Sequence, residues 1–556
     1  MNPGEDPFDP FGITSSFSKV HEAWMRNPTE LMSRLTELSS EMLSLSTEEL
    51  IPFLFEGSDK ILESNDLRSA FLSLVNNYAA LAHKYHAACG KWLKDYVNRA
   101  DGLERKDRER SIFMADQIMN ALSPSNCFWT NPTVVQKFML SKGESLIKGF
   151  SNWMEDVERG DNLVSIADTQ AFKVGENLAI TPGFVVFRNE LMELIQYTPA
   201  TDTTYAVPIV LIQPWVNKYY IFDLTEKKSL VRYLRDQGFT VFVVSWKNPT
   251  SGMRAVTFED YMISGALKAV EVAREICDAE HVHAVGYCIG GTVLAALMAW
   301  LNRGEMQEHS LPIRHWSMFA GMADFSEPGD VGVYVSEGAV EKVEGLMEKD
   351  GYLNASYISF AFRLLRSDSL IWRYYVHNYL EGEMPPKSDF LYWNSDSTRL
   401  PAAMTSFFLR EFYLHNKLMK EDGVVLGGRP IDLRRIHQPL YAVGAEQDHI
   451  CPWKATFGIC KVVQAPVRYT LVGEGHIIGY VNPPSARNNK KYWTGETAGE
   501  ADPDEWRARQ RERRGSWWQD WAGWLAERCG SLGAPPGVSL KYPPLAKAPG
   551  SYVLER

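Results

Sequence analysis

Two periodicities divide the chain. From about Phe17 to Leu122 apolar positions recur every three or four residues, as in AFLSLVNNYAALAHKYHAACGKWLKDYV, and strand-like runs are nearly absent. That spacing predicts a succession of amphipathic helices. Near Ala206 the texture changes. AVPIVLIQPW (206–215), FTVFVVSW (239–246), HVHAVGY (281–287), IRHWSMFAG (313–321), PLYAVGA (439–445) and VRYTLVG (467–473) are short apolar runs ending in turn residues. Helical stretches such as FEDYMISGALKAVEVAREIC lie between them. Runs that are apolar throughout, without in-and-out alternation, predict strands covered on both faces, hence a parallel sheet between helices. Between about 322 and 420 the rhythm breaks into mixed Pro, Gly, acidic and aromatic residues, which read as an insertion capping the sheet. The expected organisation is a helical domain over 1–190 and an α/β domain over 191–556, with a cap or lid at 322–420 and an aromatic C-terminal tail at 503–556.

Composition changes this picture little. With 556 residues, 45% of them apolar and 23% charged, the chain can build cores without staples, and at about 150 residues per domain two domains are natural. Lys plus Arg number 58 against 69 Asp plus Glu, a formal charge of −11, which argues against a nucleic-acid binder held by a broad cationic face. Seven cysteines, an odd number without CxxC pairing, fit a reducing cytosol better than a disulfide scaffold. The start MNPGEDPFDPF lacks the basic and apolar regions of a signal peptide, and no apolar run reaches the ~18 residues that span a bilayer. A cytoplasmic protein without a transmembrane segment is expected.

The sharpest chemical signal is GYCIGGT (286–292), which follows the run HVHAVGY and opens the apolar helix TVLAALMAWL. This is the setting of a nucleophile elbow, G-x-S-x-G with Cys288 in place of serine. Gly286 and Gly290 would let strand and helix approach closely, and the helix N-terminus would favour a thiolate. Taken alone, GxCxG also describes a small buried cysteine in a βα turn. The downstream residues decide. In an α/β-hydrolase the acid and the histidine follow the nucleophile on loops after late strands, and Asp448 follows PLYAVGA while His476 follows VRYTLVG. Cys288, His476 and Asp448 thus read as nucleophile, base and orienting acid for acyl transfer. The oxyanion would be held by the backbone N–H of Ile289 and by a second donor from QPWVN (213–217), at Trp215 or Val216.

These blocks resemble the class I polyhydroxyalkanoate synthases. The resemblance runs from about Ser123 to Arg556 through SPSNCFWTNP, FKVGENLAITPG, FRNELMELIQYTP, QPWVNKYYIFDL, VFVVSWKNP, GYCIGGT, LYWNSDSTRLPAAM, EQDHICPW, GHIIGYVNPP, GSWWQDW and PGSYV. It implies an α/β-hydrolase fold with a large cap and an N-terminal helical domain. The implied enzyme is cytoplasmic, granule-associated and homodimeric, and polymerises (R)-3-hydroxyacyl-coenzyme A into polyester with release of coenzyme A. The family's nucleophile, acid and histidine fall on Cys288, Asp448 and His476. Two positions depart from the family: Cys451 stands where a small residue such as alanine is usual, and Glu474 replaces a small residue before the GH pair.

Two other readings stay open: a thioesterase or polyester hydrolase on the same fold, and a catalytically silent granule-coating protein. Trp517, Trp518, Trp521 and Trp524 recur at helical spacing and read as core packing rather than a polymer-binding stripe. The basic run Arg507–Arg514 reads as a solvated face. His83 with His86 and His281 with His283 lack the acids or cysteines of a metal site, and no phosphate-binding glycine loop is present. No cofactor and no metal are expected.

Overall fold

The computed structural model describes residues 14–51, 67–160, 163–304, 308–497 and 502–556; the acidic start of the chain lies outside them. The chain forms two compact units. One contains Met1–Asp168 together with Ser359–Ser388, the other Thr169–Ile358 with Asp389–Arg556.

The first unit is helical, as the three-and-four spacing predicts, with helices at Thr14–Met25, Pro28–Leu45, Leu67–Asn98, Arg105–Ala121, Pro132–Leu140 and Glu144–Arg159. Val20, Trp24, Val97 and Ala100 make one of its cores, where Trp24 stacks on Tyr96 at 5.4 Å and donates its indole N–H to the Tyr96 carbonyl. The excursion Ser359–Ser388, from the stretch expected to form the cap, packs into this unit. Tyr379 donates its phenol to Asp156 across 2.6 Å, and Asn152 donates to the carbonyls of Asn378 and Glu383. Gly149 makes that approach possible, because a Cβ there would overlap the Tyr379 carbonyl.

The second unit is built on an eleven-stranded sheet. In chain order its strands are β1 (Gly183–Arg188), β2 (Met192–Tyr197), β3 (Ile209–Ile212), β4 (Val241–Trp246), β5 (Val282–Tyr287), β6 (Ile313–Phe319), β7 (Leu440–Ala445), β8 (Val467–Val472), β9 (Lys491–Glu496), β10 (Arg513–Arg514) and β11 (Ala546–Lys547). Their spatial order is β10-β9-β8-β7-β6-β5-β3-β4-β2-β1-β11. The six from β8 to β4 are mutually parallel, and the pairs flanking them are antiparallel. This is the α/β-hydrolase fold. All six parallel strands come from the six apolar runs, and β3, β4, β5 and β7 are buried along their whole length.

The 322–420 stretch adds no strand to this sheet. Among its described residues it holds short helices and one two-residue pairing, Tyr352–Leu353 with Leu400–Pro401. The tail tryptophans are core residues: Trp517, Trp518 and Trp521 are fully buried and Trp524 nearly so. Arg509, Arg511, Arg513 and Arg514 are exposed, as a solvated face requires. At the far end of the tail, Ser551 and Tyr552 donate their backbone N–H groups to Glu193, a buried carboxylate on β2 that also meets Arg188.

Candidate active site

Strand β5 runs directly into Cys288, which opens the helix Ile289–Asn302. Cys288 has φ 53° and ψ −124°, a conformation that costs a non-glycine residue on the order of 1–3 kcal/mol and persists only where its surroundings enforce it. The enforcement is visible. The Cys288 N–H donates to the Phe319 carbonyl of β6, and the helix is buried at every position but Trp300 and Asn302. A Cβ at Gly286 would stand 2.5 Å from the Gly290 carbonyl oxygen, and one at Gly290 would overlap the Ile212 carbonyl. Strand and helix can therefore meet only through glycine at these two positions.

Asp448 and His476 sit on the loops after β7 and β8 and come together beneath the elbow. His476 donates Nδ1–H to Asp448 Oδ2 across 2.7 Å. The other carboxylate oxygen accepts the backbone N–H groups of Ile450 and Cys451, at 2.9 and 2.8 Å. Asp448 is thus an anchored acceptor whose side chain is wholly buried. With Nδ1 committed, Nε2 is the ring nitrogen left for sulfur. The sulfurs of Cys288 and Cys451 and a ring nitrogen of His476 all lie within 4.8 Å of one another. The sequence-predicted nucleophile, acid and histidine are therefore one cluster, joined by Cys451.

Charge is shared across this cluster in a definite direction. The Cys288 thiol is lowered to about 5, first by a hydrogen bond from Cys451, then by the hydrogen bond and charge of His476, against the opposing effect of burial. Cys451 is pushed far up, because it is the donor to Cys288 and is buried beside it. His476 is raised to about 10: burial disfavours the charged ring, but the charge and hydrogen bond of Asp448, with help from Cys288, outweigh it. These shifts favour a thiolate on Cys288, an imidazolium on His476 and a neutral thiol on Cys451.

Residues outside the predicted nucleophile, acid and histidine hold the base in place. Tyr287, next to the nucleophile, donates its phenol to the His476 carbonyl at 2.9 Å and stacks on the imidazole at 5.9 Å between centroids. Tyr480, four residues after His476, points its hydroxyl at Asp448 Oδ2 from 3.4 Å. From the tail, Trp517 and Trp518 donate indole N–H groups to the carbonyls of Gly479 and Tyr480, at 3.0 and 2.9 Å. Of these, the sequence singled out Trp517 and Trp518, as core packing and not as partners of the loop that carries the histidine.

Of the three residues expected at an oxyanion hole, Ile289 is the first helical residue, and no acceptor is found for its N–H among the described residues. The same holds for the N–H groups of Trp215 and Val216. Their loop is braced by the LYWNSDSTRLP block. Thr398 donates its hydroxyl to the Trp215 carbonyl and accepts the Asn217 N–H, while Asn217, at φ 65°, donates its side-chain amide to the Trp393 carbonyl. Of the two histidine pairs, His83 and His86 reach Ser125 and the Met119 carbonyl, and His283 bonds His315 at 2.6 Å.

A parallel strand, a strained cysteine, a buried helix and an acid–imidazole pair on the following strand ends define an α/β-hydrolase-fold protein with a thiol at the elbow. Residues 73–234 match the family described as Poly-beta-hydroxybutyrate polymerase (PhaC) N-terminus. The chain is 37% identical to a poly(3-hydroxyalkanoate) polymerase subunit of Rhizobium meliloti, over 98% of this chain and 89% of that one. It is 39% identical to the corresponding subunit of Cupriavidus necator, over 82% and 77%. Among solved structures, a putative hydrolase from Agrobacterium vitis covers 53% of this chain and 91% of its own, at 14% identity and a TM-score of 0.31. The chain belongs to the poly(3-hydroxyalkanoate) polymerase family and is an acyltransferase-type enzyme. Among the described residues no helix is long and apolar enough to cross a membrane.

Proposed function

We propose that the protein polymerises (R)-3-hydroxyacyl-coenzyme A through an acyl thioester on Cys288, with His476 as base and Asp448 as its orienting acid. The observation that carries this reading is the clustering of the Cys288 sulfur with the His476 ring, itself fixed by Asp448 at 2.7 Å. The Cys288 thiolate attacks the thioester carbonyl, and the oxyanion meets the Ile289 N–H and the Trp215 or Val216 N–H. As the carbon–sulfur bond to coenzyme A breaks, the leaving thiolate takes the proton from the His476 imidazolium. One thioester has replaced another at nearly equal energy, and the acyl group stays activated.

His476, now neutral, removes the proton from the 3-hydroxyl of a second unit or of the chain end. The alkoxide attacks the Cys288 thioester, an ester forms, and the thiolate–imidazolium pair is restored. Water would divert the acyl group to free acid, so the parts of the 322–420 stretch that belong to the sheet-bearing unit are assigned the role of excluding it. Granule association and a homodimer belong to the same proposal, and the reaction as written needs no cofactor. The test is the purified chain given 3-hydroxybutyryl-coenzyme A. Coenzyme A release with insoluble polyester supports the reading, and free acid without polymer favours a hydrolase. Absence of coenzyme A release from the native chain, unchanged in Cys288→Ala, would point to a granule-coating protein.

A further inference from the structure

We propose that Cys288, Cys451 and His476 bind a thiophilic divalent cation such as Zn²⁺, which switches the enzyme off by occupying its acyl carrier and its base together. Only the effect on turnover rests on the polymerase reading; the binding rests on donor geometry.

The three donors lie within 4.8 Å of one another. A tetrahedral zinc, at about 2.3 Å from sulfur and 2.0–2.1 Å from nitrogen, sets its ligands roughly 3.4–3.8 Å apart, so shifts of about 1 Å close the set. Two thiolates and one imidazole with a fourth position open is a donor set that zinc takes in enzymes, and soft sulfur ligands select zinc or cadmium over magnesium or calcium. Zinc-binding histidines usually give their second N–H to a carboxylate, which fixes the ring and the tautomer. That outer contact is already built here: Asp448 accepts Nδ1–H of His476 and, on its other oxygen, the N–H of Cys451. One buried carboxylate therefore orients two of the three donors.

Cys451 is 3% exposed while Cys288 is half-buried, so the cation would enter from the Cys288 side. On binding, the protons on the Cys451 sulfur and on His476 Nε2 pass to solvent, and the Cys288 sulfur supplies a lone pair. Among the described residues this is the one group of three such side chains with metal-ligand spacing. In the rival cluster of histidines, His283 spends both ring nitrogens internally, on His315 through Nδ1 and on Ser317 through Nε2, and among the described residues the cluster offers no thiolate or carboxylate at metal-ligand spacing.

The test titrates the untagged full chain with Cd²⁺, following the ultraviolet thiolate-to-cadmium charge-transfer band, and then competes with Zn²⁺. One Cd²⁺ per chain is expected, displaced by Zn²⁺, with Cys288→Ser and Cys451→Ser each weakening binding at least tenfold. Equal affinity in Cys451→Ser, or a band that persists in the double variant through the exposed Cys89 and Cys127, overturns the site. Should the variants not fold, the native chain serves: bound Cd²⁺ must slow alkylation of Cys288 and Cys451, mapped by peptide mass, and an unchanged rate at both overturns it. Zn²⁺ should stop coenzyme A release and a chelator restore it. Cadmium binding at these thiols in a chain that never releases coenzyme A sinks the polymerase reading alone, whereas normal release with no cadmium band sinks the cation site alone.

Discussion

Tyr287 reaches across the ends of β5 and β8 to give its phenol proton to the His476 carbonyl at 2.9 Å, so the residue beside the nucleophile holds the backbone of the base. Tyr287→Phe removes that proton and leaves a carbonyl short of a donor, a loss of about 1–2 kcal/mol. Because the bond fixes the imidazole and does not touch substrate, kcat should fall several-fold with KM nearly constant. Steady-state coenzyme A release checks this, and a changed KM with intact kcat would contradict it.

The thiolate–imidazolium pair has a pH signature. Cys288 is lowered to about 5 and His476 raised to about 10, so the sulfur is anionic, and reactive, at any pH above about 5. Iodoacetamide labelling of Cys288 should stay fast through neutral pH and drop as the pH falls through about 5, where the thiolate is protonated. An ordinary thiol would lose reactivity several units higher. In His476→Ala the inflection should move up toward that ordinary range, since the imidazolium that favours the anion is gone.

Cys451 is the largest single influence on the Cys288 thiol. Replacing it by alanine removes the S–H donor, so the labelling inflection should rise; serine, which keeps an O–H donor, should place it between wild type and alanine. An inflection unmoved in Cys451→Ala would mean that His476 alone stabilises the thiolate.

The tail supports the site from a distance. Trp518→Phe withdraws the indole N–H from the Tyr480 carbonyl and leaves the packing against the Tyr233 ring less well filled, at a cost of about 1–3 kcal/mol. Thermal unfolding should shift down and kcat should fall with it, because Tyr480 points at Asp448.

At the elbow, Gly290→Ala sets a methyl group against the Ile212 carbonyl, and neither the helix nor β3 can withdraw without unpacking the sheet. Overpacking of this kind costs about 1–3 kcal/mol or more. The variant should label slowly at Cys288 and unfold at lower denaturant, whereas Gly338→Ala, where a Cβ meets nothing, should behave as wild type.

How much of this was legible follows from what each residue faces. The six parallel strands are covered on both sides, so they had to be apolar throughout, and that is a signal in one dimension. β1 and β2 were not singled out: β1 offers only the short run FVVF, with Phe184 exposed, and β2 is interrupted by Glu193, which it buries against the C-terminal tail. Cys288, Asp448 and His476 stood out because each ends an apolar run and their order matches the fold. Tyr287 did not, and Trp517 and Trp518 stood out only as core packing, since the partners of all three lie 38 residues away or more and only the folded sheet brings them close. Cys451 was visible as a departure from its family but not as a neighbour of Cys288, because a loop three residues past the acid can turn its side chain anywhere.

The excursion Ser359–Ser388 has a practical result for anyone dividing this protein. Its chain leaves the sheet-bearing unit and returns, so no single cut separates the two units. Expressing only the residues after Asp168 would strand thirty residues whose tyrosine and backbone carbonyls are satisfied by Asp156 and Asn152 upstream. A catalytic fragment designed from this fold needs that loop excised and its ends rejoined, or else the missing helices supplied as a separate polypeptide.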